Sequence, residues 1–295
     1  MKNILIILIL SFFYINIGYT NEPCYKGGGF LTVEKKFVKK VTFKDPKNTL
    51  VFIHSHGGSN DKSKSGCPYK MHQIKQVFEL TKEDFGRKEN FLYLLDAKKI
   101  AGDMYIKYGR KGDKMEVENY EGKTKLQKRI DQVNELILEL NKQGIKNKNI
   151  IVSGKSCGAW MTLLYQAKFP SKVAGGIAYH PACYDKLNKK NGFIKVEKYK
   201  SKAYLNRRQA DINEISKSKN LKVIAFTNRS DPHEGGDLSD WMNDVIGLKF
   251  IDTPGKSEKF TLNGKRCKEK NHPGHNFYRT ECMKDYFPEI VKYFK

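Results

Sequence analysis

Hydrophobic residues fall into two kinds of pattern along this chain. Thr49–Ile53, Asn90–Leu95, Ile150–Val152, Ala174–Tyr179 and Leu221–Thr227 are near-continuous apolar runs. Runs of that length without alternation predict strands buried on both faces. Helical periods lie between them. Lys123 to Gln143 carries Leu126, Ile130, Val133, Ile137 and Leu140 at spacings of three and four, with Gly144 placed to cap its end. Tyr69 to Leu80 reads as a second helix, and an apolar segment of helical length runs from Cys157 until Pro170 stops it. Strands alternating with helices predict an α/β fold, a mostly parallel sheet with helices on both faces. Phe30 to Phe43 instead largely alternates apolar and polar, predicting two short antiparallel strands with one solvated face. Lys249–Ile251 and Lys259–Leu262 read as short strands near the sheet edge. A last helix is expected from about Arg279 to the C-terminus, broken or restarted at Pro288.

Three stretches depart from this rhythm. At the N-terminus, Lys2 precedes an apolar core, Ile4 to Tyr14, that is too short to span a membrane. Gly18 and Thr20 offer a cleavage site. Residues 1–20 are therefore expected to be a signal peptide, 21–295 to form one domain, and the protein to be secreted or periplasmic with no membrane span after cleavage. Lys98 to Tyr120 is polar and Gly-containing, an elaborated loop whose Tyr105, Tyr108 and Tyr120 either line a groove or pack. Tyr184 to Asn220 is basic and long, and is expected to form a small cap or crossover with one or two helices.

The formal net charge is +23. Lysine dominates and is spread along the whole chain, so the charge reads as surface bias rather than a specific nucleic-acid patch. It still favours anionic substrates or surfaces at low salt. Six cysteines after a signal peptide suggest disulfides. The expected pairs are Cys267 with Cys282, Cys157 with Cys183, and Cys24 with Cys67. Buried free thiols remain the alternative for Cys157 and Cys183.

Candidate chemistry centres on Gly154-Lys155-Ser156-Cys157-Gly158, the pattern G-x-S-x-G between an apolar strand and a helix. A serine at that apex needs an unusual backbone angle and small flanking residues, and it receives the helix N-terminus. Lys155 beside it either meets an anionic substrate or faces solvent. His56-Gly57-Gly58-Ser59 follows the Thr49–Ile53 strand, where glycines let backbone amides approach a ligand. Asp231 lies just past the Leu221–Thr227 strand, nearer its end than the rival acids Glu234, Asp237 and Asp240. His54 and His56 lack a third ligand at metal spacing, and His180 at the end of another strand is expected to be structural. No metal or other cofactor is called for.

In order, these are a strand followed by His56-Gly57-Gly58, the elbow serine Ser156, Asp231 after a later strand, and a histidine near the C-terminus. From about Val51 onward the chain resembles the α/β-hydrolase superfamily, nearest to its secreted esterase, polyester-depolymerase and dienelactone-hydrolase-like branch. The resemblance implies Ser156 as nucleophile, His275 as general base and Asp231 as its orienting acid. It implies an oxyanion hole from the N–H of Cys157 and one from Gly58 or Ser59. Gly274-His275 is similar to the family's histidine loop, which favours His275 over His272. A Cys267–Cys282 bridge would close that loop. A cysteine directly after the serine departs from the family pattern. The implied activity is hydrolysis of small-molecule or polymeric esters, anionic ones included. A serine peptidase or acyltransferase on the same fold and a non-catalytic cationic binding protein are the alternatives. A metal hydrolase using His54, His56 and His180 is the reading least favoured.

Overall fold

The computed structural model describes residues 23–57, 68–96, 107–108, 115–116, 124–184, 202–229, 231, 233–235, 238–253, 261–262, 265–266 and 274–295. The expected signal segment, Tyr105 and Tyr120 lie outside them.

An eight-stranded sheet runs through the molecule. Its strands are β1 (Gly29–Leu31), β2 (Phe37–Val38), β3 (Thr49–Ser55), β4 (Glu89–Leu94), β5 (Ile150–Lys155), β6 (Gly175–Tyr179), β7 (Val223–Asn228) and β8 (Leu248–Thr253). Their order is β8-β7-β6-β5-β3-β4-β1-β2. β3 to β8 are mutually parallel, and the β1–β2 hairpin joins antiparallel at the β4 edge. The expected mostly parallel sheet is therefore present.

The buried runs work as their pattern predicts, because successive side chains of a strand point to opposite faces. Val51, Ile53, Ile150 and Val152 pack beneath α2 (Lys125–Lys142) and α3 (Cys157–Lys168), where Leu126, Ile130, Val133, Trp160 and Leu164 meet them. Leu50, Phe52, Ile151, Ile177 and Phe226 pack on the other face against α1 (Met71–Leu80) and α5 (Phe287–Phe294). α2 begins where the Thr124 hydroxyl accepts the Gln127 N–H, and Gly144 at φ +91 ends it.

The Tyr184–Asn220 segment contributes α4 (Lys202–Lys217). Ile212 and Ile215 pack into the α3 side of the core, so this part is a crossover helix between β6 and β7. The last helix starts later than its pattern suggests. Phe277–Arg279 and Glu281–Tyr286 are 3-10 turns, and the α-helix proper begins at Phe287, with Pro288 in its first turn. Thr280 is extended (φ −78, ψ 157) and its hydroxyl donates to the Phe277 carbonyl, which breaks the run. Likewise Thr261–Leu262 pairs with Lys265–Arg266 rather than with the main sheet.

Candidate active site

Ser156 sits between β5 and α3 at φ 57, ψ −122, with its N–H donated to the Tyr179 carbonyl of β6 at 3.0 Å. That left-handed backbone turns the hydroxyl off the strand end and is costly for a non-glycine residue, of order 1–3 kcal/mol. The flanking glycines are demanded by contact. A Cβ on Gly154 would stand 2.2 Å from the Gly158 carbonyl oxygen, and one on Gly158 would stand 2.0 Å from that of Ser55 in β3. Cys157 is the first residue of α3, so its N–H belongs to the first turn, which has no intrahelical acceptor.

The Ser156 hydroxyl donates to the Ala182 carbonyl at 2.7 Å. Ala182 belongs to the loop leaving β6, and two contacts hold that loop in place. Cys183 is disulfide-bonded to Cys157, with Cα atoms 4.5 Å apart. One oxygen of buried Glu234 accepts both the Cys183 and Tyr184 N–H groups at 2.6 Å, while its other oxygen receives Arg208 at 3.3 Å. Burial pushes the Glu234 carboxyl above its ordinary range, against the pull of Arg208 and the two amides. The acid that rivalled Asp231 in the sequence is thus a loop clamp. Asp240 is exposed, and Asp237 lies outside the described residues.

Asp231 and His275 are brought together. His275 Nδ1 and Asp231 Oδ2 are 2.7 Å apart, both side chains buried, and the His233 N–H donates to Asp231 Oδ1 at 2.9 Å. Burial raises the Asp231 pKa, while His180, His233 and Lys155 pull it back down. The turn carrying Asp231 is fixed because Asn228 donates its side-chain amide to Thr253 of β8 and its carbonyl accepts the Asp231 N–H. His272 lies outside the described residues.

Lys155 follows neither of its two expected roles. It is buried, its Nζ donates to the Asn276 side-chain oxygen at 3.0 Å, and it lies 5.6 Å from the Tyr278 ring centre. It ties β5 to the loop that carries His275. His180 is buried at φ 49 and close to the Asp231–His275 pair, its ring 6.4 Å from that of His275. Among the described residues neither of its ring nitrogens has a hydrogen-bond partner. Burial lowers its pKa to about 3, so it is neutral at pH 7. His54 is buried too, with Nδ1 3.0 Å from the Ser153 hydroxyl and its pKa lowered to about 3 by burial. Among the described residues no group of three or more His, Cys, Asp or Glu side chains is arranged to hold a metal ion, and no helix is long and apolar enough to cross a membrane.

The loop after β3 reaches the nucleophile. A Cβ on Gly57 would stand 2.2 Å from Ser156 Cβ and 2.9 Å from its Oγ. Gly58 and Ser59, the expected donors there, lie outside the described residues. Arg129 of α2, which sequence reasoning passed over, is fully buried and donates to the Gly57 carbonyl at 3.0 Å. Its signal was a charge in an apolar stripe, three residues after Leu126 and four before Val133. Of the other expected bridges, Cys24 and Cys282 are disulfide-bonded, and Cys67 and Cys267 lie outside the described residues.

A profile of the phospholipase/carboxylesterase family matches residues 112–207, which include Ser156. No curated protein matches the chain. A structure assigned as a dipeptidyl aminopeptidase IV from Bacteroides ovatus superposes with TM-score 0.50 at 12% identity, covering 85% of this chain and 32% of that one. A phospholipase/carboxylesterase from Dyadobacter fermentans gives 17% identity and TM-score 0.41 over 74% of this chain and 85% of that one. An esterase from Pyrobaculum calidifontis gives 11% and 0.48 over 93% and 87%. At these identities a likeness speaks to fold alone.

Proposed function

Starting from a chain that belongs to the α/β-hydrolase superfamily, we propose that it is a serine hydrolase that cleaves carboxylic esters through an acyl-enzyme on Ser156. The observation that carries this reading is the buried His275–Asp231 contact at 2.7 Å, with Asp231 just past the C-terminal end of β7 and a serine held at positive φ at the C-terminal end of parallel β5, on the same sheet edge. A free serine hydroxyl is a weak nucleophile and needs a base. His275 takes the Ser156 proton as Oγ attacks the ester carbonyl, and returns it to the leaving alcohol. Asp231 holds the imidazole tautomer and stabilises the imidazolium. The N–H of Cys157, with one from the loop after Gly57, binds the oxyanion at roughly 3 kcal/mol per donor. Water then attacks the acyl-enzyme by the same route in reverse.

A hydroxyl has one proton to give. In the resting structure it goes to Ala182, so the reaction begins with Ser156 turning to His275 when substrate enters. Bonded cysteines at 24, 157, 183 and 282 suit an oxidising compartment and support secretion or a periplasmic location. The formal net charge of +23 supports a preference for anionic esters at low salt.

The test is hydrolysis of a chain-length series of p-nitrophenyl esters by the mature protein and by Ser156→Ala, with fluorophosphonate labelling of both. Activity and labelling should vanish together in the variant. A folded wild-type protein that neither hydrolyses nor labels would sink the reading.

A further inference from the structure

A line of hydrogen bonds runs from the nucleophile into the core. The Ser156 hydroxyl donates to the Ala182 carbonyl at 2.7 Å. The next N–H along the chain, that of Cys183, donates to Glu234 Oε1 at 2.6 Å, and the Tyr184 N–H reaches the same oxygen at 2.6 Å. The other carboxylate oxygen of Glu234 receives Arg208 of α4 at 3.3 Å. Glu234 is buried, so these charge-assisted bonds form out of water, where they are strongest.

The Ala182 carbonyl and the Cys183 N–H belong to one peptide unit. That unit is planar and trans, so its two polar edges point opposite ways. A plane held at one edge by Glu234 is therefore aimed at the other. The Cys157–Cys183 bridge ties the same stretch to the residue after the nucleophile and limits how far the loop can withdraw. Hydrogen bonding at the N–H also polarises the carbonyl across the plane, which makes it a better acceptor for Ser156. We propose that Glu234 is the positioning residue of the resting nucleophile: it sets the Ala182–Cys183 peptide so that its carbonyl keeps the Ser156 proton until substrate enters. This rests on the serine-hydrolase reading above and adds to it a group that never touches substrate. The two halves of the reaction feel it differently. Acylation must break the Ser156–Ala182 bond, because the proton moves to His275 as Oγ attacks. In the acyl-enzyme Oγ is an ester oxygen with no proton, so deacylation starts without that bond. Glu234 therefore raises the barrier to acylation alone.

The experiment compares Glu234→Ala and Glu234→Gln with Asp211→Ala. The last unhooks the same loop, at the carboxylate that receives the Tyr184 hydroxyl, and leaves Glu234 in place. For each we would measure the second-order rate of fluorophosphonate labelling and Tm. Burst and steady-state rates on p-nitrophenyl trimethylacetate, whose hindered acyl group slows deacylation, separate the two steps. Glu234→Ala should label and acylate about 5-fold faster, the worth of one net hydrogen bond, with deacylation unchanged and Tm lower. Glu234→Gln keeps one acceptor oxygen for the two amides but turns an NH2 towards Arg208. It should show a smaller rise of the same kind, and it decides the matter if the alanine variant does not fold. Asp211→Ala should lower Tm and leave both steps unchanged. Folded Glu234 variants whose labelling and acylation are unchanged or slower would overturn the proposal. So would acylation and deacylation moving together, which is what a merely structural role predicts. An inert, unlabelled wild type would instead remove the hydrolase reading, and Glu234's role with it.

Discussion

Replacing Gly57 by alanine adds one methyl group at the point where the β3 loop meets the nucleophile. The added carbon would stand 2.2 Å from Ser156 Cβ, 2.9 Å from Ser156 Oγ and 2.9 Å from the Lys155 carbonyl oxygen. Carbon atoms pack at roughly 3.5 Å, so about 1.3 Å must be found between two main-chain segments. Neither has slack. Gly57 is held by Arg129 through its carbonyl, and Ser156 by its N–H to Tyr179 and by the Cys157–Cys183 bridge one residue on. A shift of about 1 Å at a reacting atom costs about 10²-fold in rate, and forcing the methyl in costs about 1–3 kcal/mol of stability. The assay is kcat on p-nitrophenyl acetate, read beside Tm and the rate of fluorophosphonate labelling. Gly86→Ala is the control. There the backbone is left-handed at φ +69 and a Cβ would meet only Lys295 Cε at 4.0 Å. Its stability should fall by about 1–2 kcal/mol for the strained conformation with kcat unchanged. A Gly57→Ala protein with wild-type kcat and Tm would refute the reasoning, because the loop would then not abut the nucleophile.

Asp231→Asn should lower kcat by about 10⁴-fold, since the imidazole loses the partner that sets its tautomer. Its Tm should not fall at pH 8, because burial already disfavours the ionised carboxylate; a large drop in Tm would show that Asp231 is mainly structural. His54 and His180 have folded pKa values lowered to about 3 by burial. The unfolded chain therefore binds their protons first as pH falls below about 6.5. Each contributes stability that is complete above that pH and is lost towards pH 3, at up to about 1.4 kcal/mol per pH unit. Asp231 and Glu234, raised by burial, act with the opposite sign: their contribution is present at low pH and lost as pH rises through their folded pKa. The clean readout is therefore a difference. Urea midpoints from pH 7 to 5 should fall less steeply in His180→Leu than in wild type, and equal slopes would refute the assignment. Replacing Cys157 and Cys183 together by alanine opens a loop of sequence separation 26 and should cost about 3–4 kcal/mol. Urea unfolding checks this, and an unchanged midpoint would mean the bridge adds nothing to stability.

The strands were legible because burial on both faces imposes a local rule. Leu50 and Phe52 must be apolar for one layer, Val51 and Ile53 for the other, so the run is continuous. The elbow was legible for a similar reason, since Gly154 and Gly158 are required by contacts within a few residues of Ser156 or with the adjoining strand. What the local pattern cannot carry is a role created by a distant partner. Lys155 looks like a residue beside the nucleophile that faces substrate or water, yet its charge is turned inward onto Asn276, 121 positions away. Glu234 looks like a rival to Asp231, and is instead committed to the Cys183 and Tyr184 amides some 50 positions back. Arg129 looks like a flaw in an apolar stripe until Gly57 is placed above it. In each case the side chain's type was visible and its partner was not. The partner decides whether a charge binds substrate, moves a proton or holds a loop. The three groups resembling a triad could be picked out because their chain order is itself a long-range pattern. The groups that steady Ser156, His275 and the β3 loop follow no such order, and only the packed sheet brings them to the same edge.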